Sequence, residues 1–287
     1  MTTDTRQTGR ALVLGGGGIA GIGWEAGLIV GLQGAGVDLT HADLIVGTSA
    51  GSVVGAMVAT GVDLPLAIDD FAGRAEAEAE AGPPVPSDFS AMLAAFAVLF
   101  DTDLEPQEAR ARVGAMALKS SVADGADWIK EISDRLPSHE WPERPLLITA
   151  VDTADGAFVV WDRDSAASLP LAVASSCAVP CVFPPVEIDG RLYMDGGVRS
   201  VTNADLAAGS SAVVIIEPMA HLSPRTLLER ELEALATSNV TMIGPDHHAI
   251  EVFGDDVLNP TLWRPAYHAG IIQAGAVVDR VQEVWKA

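Results

Sequence analysis

Short apolar runs that end in glycine-rich turns alternate along this chain with longer stretches of small and apolar residues, a pattern that predicts strands alternating with helices. Ala11 to Leu14 is the first run; it meets Gly15-Gly16-Gly17-Gly18-Ile19-Ala20-Gly21, and a helix is expected from about Gly23 to Ala35. Leu44 to Val46 is the second; it meets Gly47-Thr48-Ser49-Ala50-Gly51, and Ser52 to Ala59 reads as the helix that follows. Ala56 to Ala81 is rich in alanine, with Ala and Glu alternating from Arg74, and predicts a solvated helix. Gly82 to Pro86 breaks that pattern, and Ser87 or Asp88 is placed to cap the next helix. The apolar stretch Ala91 to Phe100 reads as a core helix in preference to a lid over an acyl pocket. Helical pattern continues from Asp101 to Leu136, and Pro137 to Pro145 is a linker, so about 70–140 is a helical insertion between strands.

The second half returns to short runs. Leu146 to Val151 and Ala157 to Trp161 are expected strands, and Leu169 to Ala178 a small-residue helix. Val186 to Ile188, the turn Asp189-Gly190 and Arg191 to Met194 form a hairpin that ends in Asp195-Gly196-Gly197. Ala212 to Glu217 is expected to be the final strand. Residues 222–239 read as an amphipathic helix, Gly244 to Pro265 as irregular, and Ala266 to Lys286 as a closing helix. The fold class is α/β, in a single domain over 1–287 whose C-terminal segment, about 220–287, is mainly helical.

Composition narrows the function. The chain has 287 residues, 49% hydrophobic, enough for a large core, and carries a net charge of -22. That acidity excludes a nucleic-acid footprint and electrostatic docking on anionic lipid, and serves solubility. Any membrane contact is therefore apolar, with the Phe89 to Phe100 helix as the candidate surface. Two cysteines, Cys177 and Cys181, do not make a disulfide scaffold and read as small apolar residues. No stretch reaches the roughly 18 apolar residues of a spanning helix, and residues 1–10 lack a signal core, so a cytoplasmic setting is expected. His247-His248 lacks further ligands at metal spacing, so neither metal nor cofactor is expected.

Two motifs carry chemistry. Gly47-Thr48-Ser49-Ala50-Gly51 fits Gly-x-Ser-x-Gly between a strand and a helix, the context of a nucleophile elbow. The glycine run before the first helix exposes backbone N–H groups at a helix N-terminus. It is open to three readings: a tight turn; a dinucleotide fingerprint through Gly16, Gly18 and Gly21, although the second strand ends in Gly47-Thr48-Ser49 rather than an acid; or an oxyanion hole. A serine elbow on the next strand favours the third. Asp195-Gly196-Gly197, taken alone, is a turn.

Together these blocks resemble the patatin-like phospholipases. Gly15 to Gly21 looks like that family's oxyanion loop, Gly47 to Gly51 like its elbow, and Ala174-Ser175-Ser176 through Phe183-Pro184-Pro185-Val186 to Asp195-Gly196-Gly197 like the block bearing its aspartate. The likeness covers about residues 11–217, with the insertion poorly matched. It implies a three-layer α/β/α hydrolase with a mainly parallel sheet, and a Ser49–Asp195 dyad with the N–H groups of Gly16, Gly17 and Gly18 as oxyanion donors. It also implies a lipid or other acyl-ester substrate. Acyl transfer to an alcohol, and a non-catalytic acyl- or anion-binding role, remain open beside hydrolysis. Ala20 departs from the family, which often has Arg or Lys there, and so removes a positive charge near the anion site.

Overall fold

The computed structural model describes residues 9–81, 90–101, 103–120, 125–235 and 239–286. Its strands are β1 (Arg10–Leu14), β2 (Leu44–Gly47), β3 (Leu146–Asp152), β4 (Phe158–Trp161), β5 (Val186–Ile188), β6 (Arg191–Asp195), β7 (Ala212–Ile216) and β8 (Val240–Ile243). They form an 8-stranded sheet in the order β5-β6-β3-β2-β1-β7-β8, with β4 paired to β3. The pairs β1–β2, β1–β7, β2–β3 and β7–β8 are parallel. The pairs β3–β4, β3–β6 and β5–β6 are antiparallel.

Helices cover both faces. They are α1 (Gly18–Gly34), α2 (Ala50–Thr60), α3 (Leu64–Ala81), α4 (Ser90–Leu99), α5 (Pro106–Ala117), α6 (Gly125–Arg135), α7 (Leu169–Ser176), α8 (Arg225–Leu235), α9 (His247–Phe253) and α10 (Trp263–Trp285). Side chains alternate along each strand, so Leu12, Leu14 and Ile45 face one core with α1, α2, α7 and α10. Ala11, Val13, Val46 and Ile215 face the other, with Ala204, Ala207 and α8. On that second face Val151 and Met194 meet Ala95 of α4 and Val113 of α5. The three-layer α/β/α arrangement with a mainly parallel sheet is thus present, and the insertion between β2 and β3 supplies part of both layers.

The edges of sheet strand β3 decide where the site lies. Ile148 pairs with both Gly47 of β2 and Trp161 of β4, and Ala150 with both Asp195 of β6 and Val159 of β4. β4 therefore takes one edge of β3, while β2 and β6 share the other. β2 runs with β3 and β6 against it, so their C-terminal ends meet head on, two residues of β3 apart, roughly 7 Å.

The hairpin forms as expected: Asp189 (φ 50) and Gly190 (φ 74) both have positive φ, the requirement of a tight two-residue turn. Four expectations need correction. The sheet continues past β7 into β8, whose Val-Thr-Met-Ile is too short and mixed to stand out alone. Gly244 to Pro265 contains α9, started by the Asp246 side chain accepting from the Ala249 N–H. Ala56 to Ala81 is not one helix, because Gly61 in the left-handed region (φ 75) ends α2 and the chain restarts at Leu64; Phe71 and Ala72 of α3 are buried rather than solvated. The apolar helix α4 is not core, since Ala95 is its buried residue while Leu93 is 63% exposed, with Phe100 just beyond it 55% exposed. The expected caps Ser87 and Asp88 lie outside the described residues.

A tight helix pair anchors the first core. Gly23, Gly27 and Gly31 recur every fourth residue on α1 and face α10. A Cβ on Gly27 would stand 1.9 Å from the Tyr267 carbonyl oxygen, and one on Gly270 would stand 2.2 Å from that of Trp24. Backbone meets backbone here, so neither neighbour can yield. Gly27→Ala is expected to destabilise the fold by at least about 2 kcal/mol. Gly73→Ala, on α3 with open space around it, is expected to stabilise by about 0.5–1 kcal/mol. Urea unfolding of the two variants checks the contrast.

Candidate active site

The elbow is built by forced close approach. A Cβ on Gly51 would lie 2.1 Å from the Leu14 carbonyl oxygen, and one on Gly47 would lie 2.6 Å from that of Gly51. The glycines let α2 start directly against the ends of β1 and β2, leaving Ser49 at φ 53, ψ -119. A non-glycine residue in that region costs on the order of 1–3 kcal/mol and must be held. The Ser49 N–H donates to Ser176 Oγ at 2.9 Å, and its carbonyl accepts from Ser52 Oγ at 2.7 Å and Cys177 Sγ at 3.3 Å. Helices α2 and α7 therefore clamp both backbone groups of the strained residue. The Cys177 thiol is pushed up to about 12, by burial first and by Asp195 second, and remains a neutral donor.

The glycine loop lies beside this serine. A Cβ on Gly16 would approach Ser49 Cβ to 3.5 Å. The Gly51 N–H donates to the Gly15 carbonyl at 3.0 Å and the Thr48 N–H to that of Leu14 at 3.0 Å, fixing elbow to loop. The Gly15 N–H goes to Ile216 and the Gly16 N–H to Val201, at 2.9 and 2.8 Å. Gly16 is therefore not a free donor, which corrects the expected set. The Ala20 N–H is likewise taken, by the Val257 carbonyl at 3.0 Å, and Ala20 itself is fully buried. Among the backbone hydrogen bonds of the described residues none is donated by Gly17 or Gly18, so these two keep the helix N-terminus open to an anion. Behind the loop sits Glu25, fully buried, with no hydrogen-bond partner for either oxygen among the described residues. Burial holds its carboxyl well above the usual carboxylate range, opposed by the Gly15 amide it faces.

Asp195 arrives from the opposite direction on β6. It is 4% exposed and Ser49 is 7% exposed. Its Oδ1 accepts the Gly197 N–H at 2.7 Å, and its own N–H donates to the Ala178 carbonyl at 3.0 Å. Burial raises the carboxyl to about 7, against the pull of hydrogen bonding from the Ser49 side chain and the Gly197 amide. Ser49 and Asp195 are thus brought together, and Gly196 and Gly197 carry the chain away from the carboxylate in a short 3-10 turn. Among the described residues no histidine hydrogen-bonds to either side chain, and no three His, Cys, Asp or Glu side chains gather as a metal site.

Sequence reasoning missed the supporting residues: Ser176 and Cys177 at the elbow, the buried Glu25, and a polar cluster of Thr48, Thr149 and Asn203 behind the dyad. Ser176, Cys177, Thr149 and Asn203 act across long separations in the chain and so leave no local signature.

A carboxyl group whose folded pKa lies above its unfolded value keeps a proton that the unfolded chain releases. Its stabilising contribution is complete below about pH 4. It declines as pH rises and is lost above about 7. Asp195→Asn is therefore expected to be more stable than the parent at pH 8, by on the order of 2–4 kcal/mol, and to lose that advantage near pH 4. Urea midpoints at the two pH values test the sign.

VipD from Legionella pneumophila aligns with a TM-score of 0.43 at 14% identity, covering 96% of this chain and 67% of that one. The type III effector protein ExoU aligns with a TM-score of 0.35 at 16% identity, covering 93% of this chain and 53% of that one. No curated sequence matches. A family model described as patatin-like phospholipase matches residues 12–208. That span holds the glycine loop, the serine elbow and Asp195, and covers more than half of the chain, which therefore belongs to the patatin-like phospholipase family, a family of lipid acyl hydrolases.

Proposed function

We propose that the chain hydrolyses carboxylic esters of lipids through Ser49 and Asp195, by way of an acyl-enzyme. The observation that carries this reading is the strained, buried Ser49 facing a buried carboxyl group whose pKa is about 7. An ordinary aspartate is too weak a base for an alcohol; one near 7 is poised to accept and return a proton at neutral pH.

In the first half-reaction the Ser49 hydroxyl gives its proton to Asp195 as its oxygen attacks the ester carbonyl. The oxyanion that forms is held by the N–H groups of Gly17 and Gly18 at the start of α1, which have no backbone acceptor among the described residues. Each such donor contributes roughly 3 kcal/mol to lowering the barrier. As the intermediate collapses, Asp195 returns the proton to the leaving alcohol. In the second half-reaction Asp195 takes a proton from water as the water oxygen attacks the Ser49 ester; as that intermediate collapses, Asp195 returns the proton to Ser49 Oγ and the free acid leaves, with both residues restored.

Ala95, Phe96 and Leu99 of α4 form an apolar cluster with Val113, Pro180 and Val198, beside the turn that carries Asp195. From Phe89 to Phe100 there is no charged residue, in a chain with a net charge of -22. Helix α4 therefore suits contact with uncharged apolar surface and not with anionic headgroups. Ala20 places no charge beside the loop, so recognition through a phosphate has no support from that position.

Two tests follow. On a p-nitrophenyl ester series, Ser49→Ala and Asp195→Asn are expected to lower kcat by roughly 10³-fold or more while remaining folded; retention of activity by Ser49→Ala contradicts the dyad. The pair Leu93→Asp and Phe100→Asp is expected to reduce hydrolysis of phosphatidylcholine vesicles about 10-fold or more, with turnover of a soluble short-chain ester unchanged. Equal loss on both substrates contradicts a surface role for α4.

A further inference from the structure

The ends of β2 and β6 meet on β3, but main-chain pairing does not join them to each other. One side chain does. Asn203 is fully buried and sits in the left-handed region (φ 50, ψ 39), which asparagine tolerates better than most residues. Its Nδ2 donates to Thr48 Oγ1 at 3.0 Å and to the Ser200 carbonyl at 2.7 Å. Thr149 Oγ1 and the Gly196 carbonyl lie within reach of the same nitrogen at 3.4 Å each. Thr48 and Thr149 share a hydrogen bond of 2.9 Å.

Three of these four acceptors flank the dyad. Thr48 precedes Ser49, Gly196 follows Asp195, and Thr149 lies between the β3 residues that pair with the ends of the two strands. Gly196 presses against Thr149 closely, since a Cβ there would lie 2.1 Å from Thr149 Oγ1. The amide cannot turn over. Its Oδ1 accepts from Arg199 Nη1 at 2.7 Å, and Arg199 is itself fixed by paired bonds of 2.9 and 2.7 Å to the Asp205 carboxylate. A donor faces Oδ1 and acceptors face Nδ2, so one orientation satisfies the whole network.

We infer that Asn203 is the positioning residue that sets Ser49 against Asp195, tying Thr48 to the Gly196 turn from behind the sheet. The inference rests on the Ser49–Asp195 reading above. Asn203 touches no reacting atom; it holds the separation of two groups that must exchange a proton. A shift of about 1 Å between such groups can lower a rate by 100-fold.

The test is a double-mutant cycle of Asn203→Asp and Thr48→Val, with kinetics on a soluble p-nitrophenyl ester and a 13C NMR titration of the Asp195 carboxyl. Asn203→Asp keeps the shape and removes both amide donors; Thr48→Val keeps the shape and removes the acceptor, and carries the test alone if the first variant does not fold. Each is expected to lower kcat by roughly 10- to 100-fold with KM changed by about 2-fold or less. The double variant is expected to be no worse than the more damaging single one. In Thr48→Val, which adds no charge, the Asp195 midpoint is expected to fall below about 7 as the loosened turn admits water. A folded variant with parental kcat and an unmoved midpoint overturns the inference, as do effects that simply multiply. The titration is independent of turnover: an inert parent enzyme retires the hydrolase reading, and the Asp195 midpoint in Thr48→Val, which breaks the bond to Asn203 without adding charge, still decides the role of Asn203.

Discussion

The head-on meeting of β2 and β6 along one edge of β3 is the constraint on which the site depends. Two strands of opposite direction deliver their last residues to the same place, and those residues are the serine elbow and the aspartate. Parallel strands alone would bring loops to one end of the sheet, but not two chain ends into opposition. The antiparallel hairpin of β5 and β6 at the sheet's edge supplies that geometry. Its two-residue turn at Asp189-Gly190 makes the return of the chain short and rigid.

Burial then turns geometry into chemistry. The same desolvation that raises Asp195 to about 7 makes its charged form costly, so the fold carries a carboxyl group it would hold more cheaply if protonated. Ser49 adds backbone strain at φ 53. Both costs are offset nearby: clamping bonds from Ser176, Ser52 and Cys177 hold the elbow, and the Asn203 network closes the other side of the sheet. Stability sacrificed at the dyad is recovered where α1 and α10 pack backbone to backbone through glycines. A site of this kind needs a stiff scaffold, and the parallel centre of the sheet, buried on both faces, provides it.

How much of this was legible in the sequence depended on distance along the chain. The strand, Gly-x-Ser-x-Gly and helix are contiguous, and each glycine has a local reason, so the elbow could be read directly. Asp195 could not: Asp-Gly-Gly is an ordinary turn, and only resemblance to a family singled it out. Gly16 was expected to donate to an oxyanion, but its N–H is taken by Val201, a contact that no motif records. Ser176 and Asn203 act on residues 127 and 155 positions away and leave no local pattern. Helix α4 misled for the opposite reason. Its apolar composition was plain, but whether an apolar helix is covered depends on the rest of the fold, and here Leu93 and the adjoining Phe100 remain exposed.

The central claim is that Ser49 carries the acyl group between two half-reactions. The most direct measurement is peptide mass spectrometry after acid quench during turnover of a p-nitrophenyl ester. The account predicts the acyl mass on the peptide containing Ser49, formed as fast as p-nitrophenol is released and cleared when substrate is exhausted. Steady turnover with Ser49 unmodified at every time, or with the acyl group on another side chain, would contradict it.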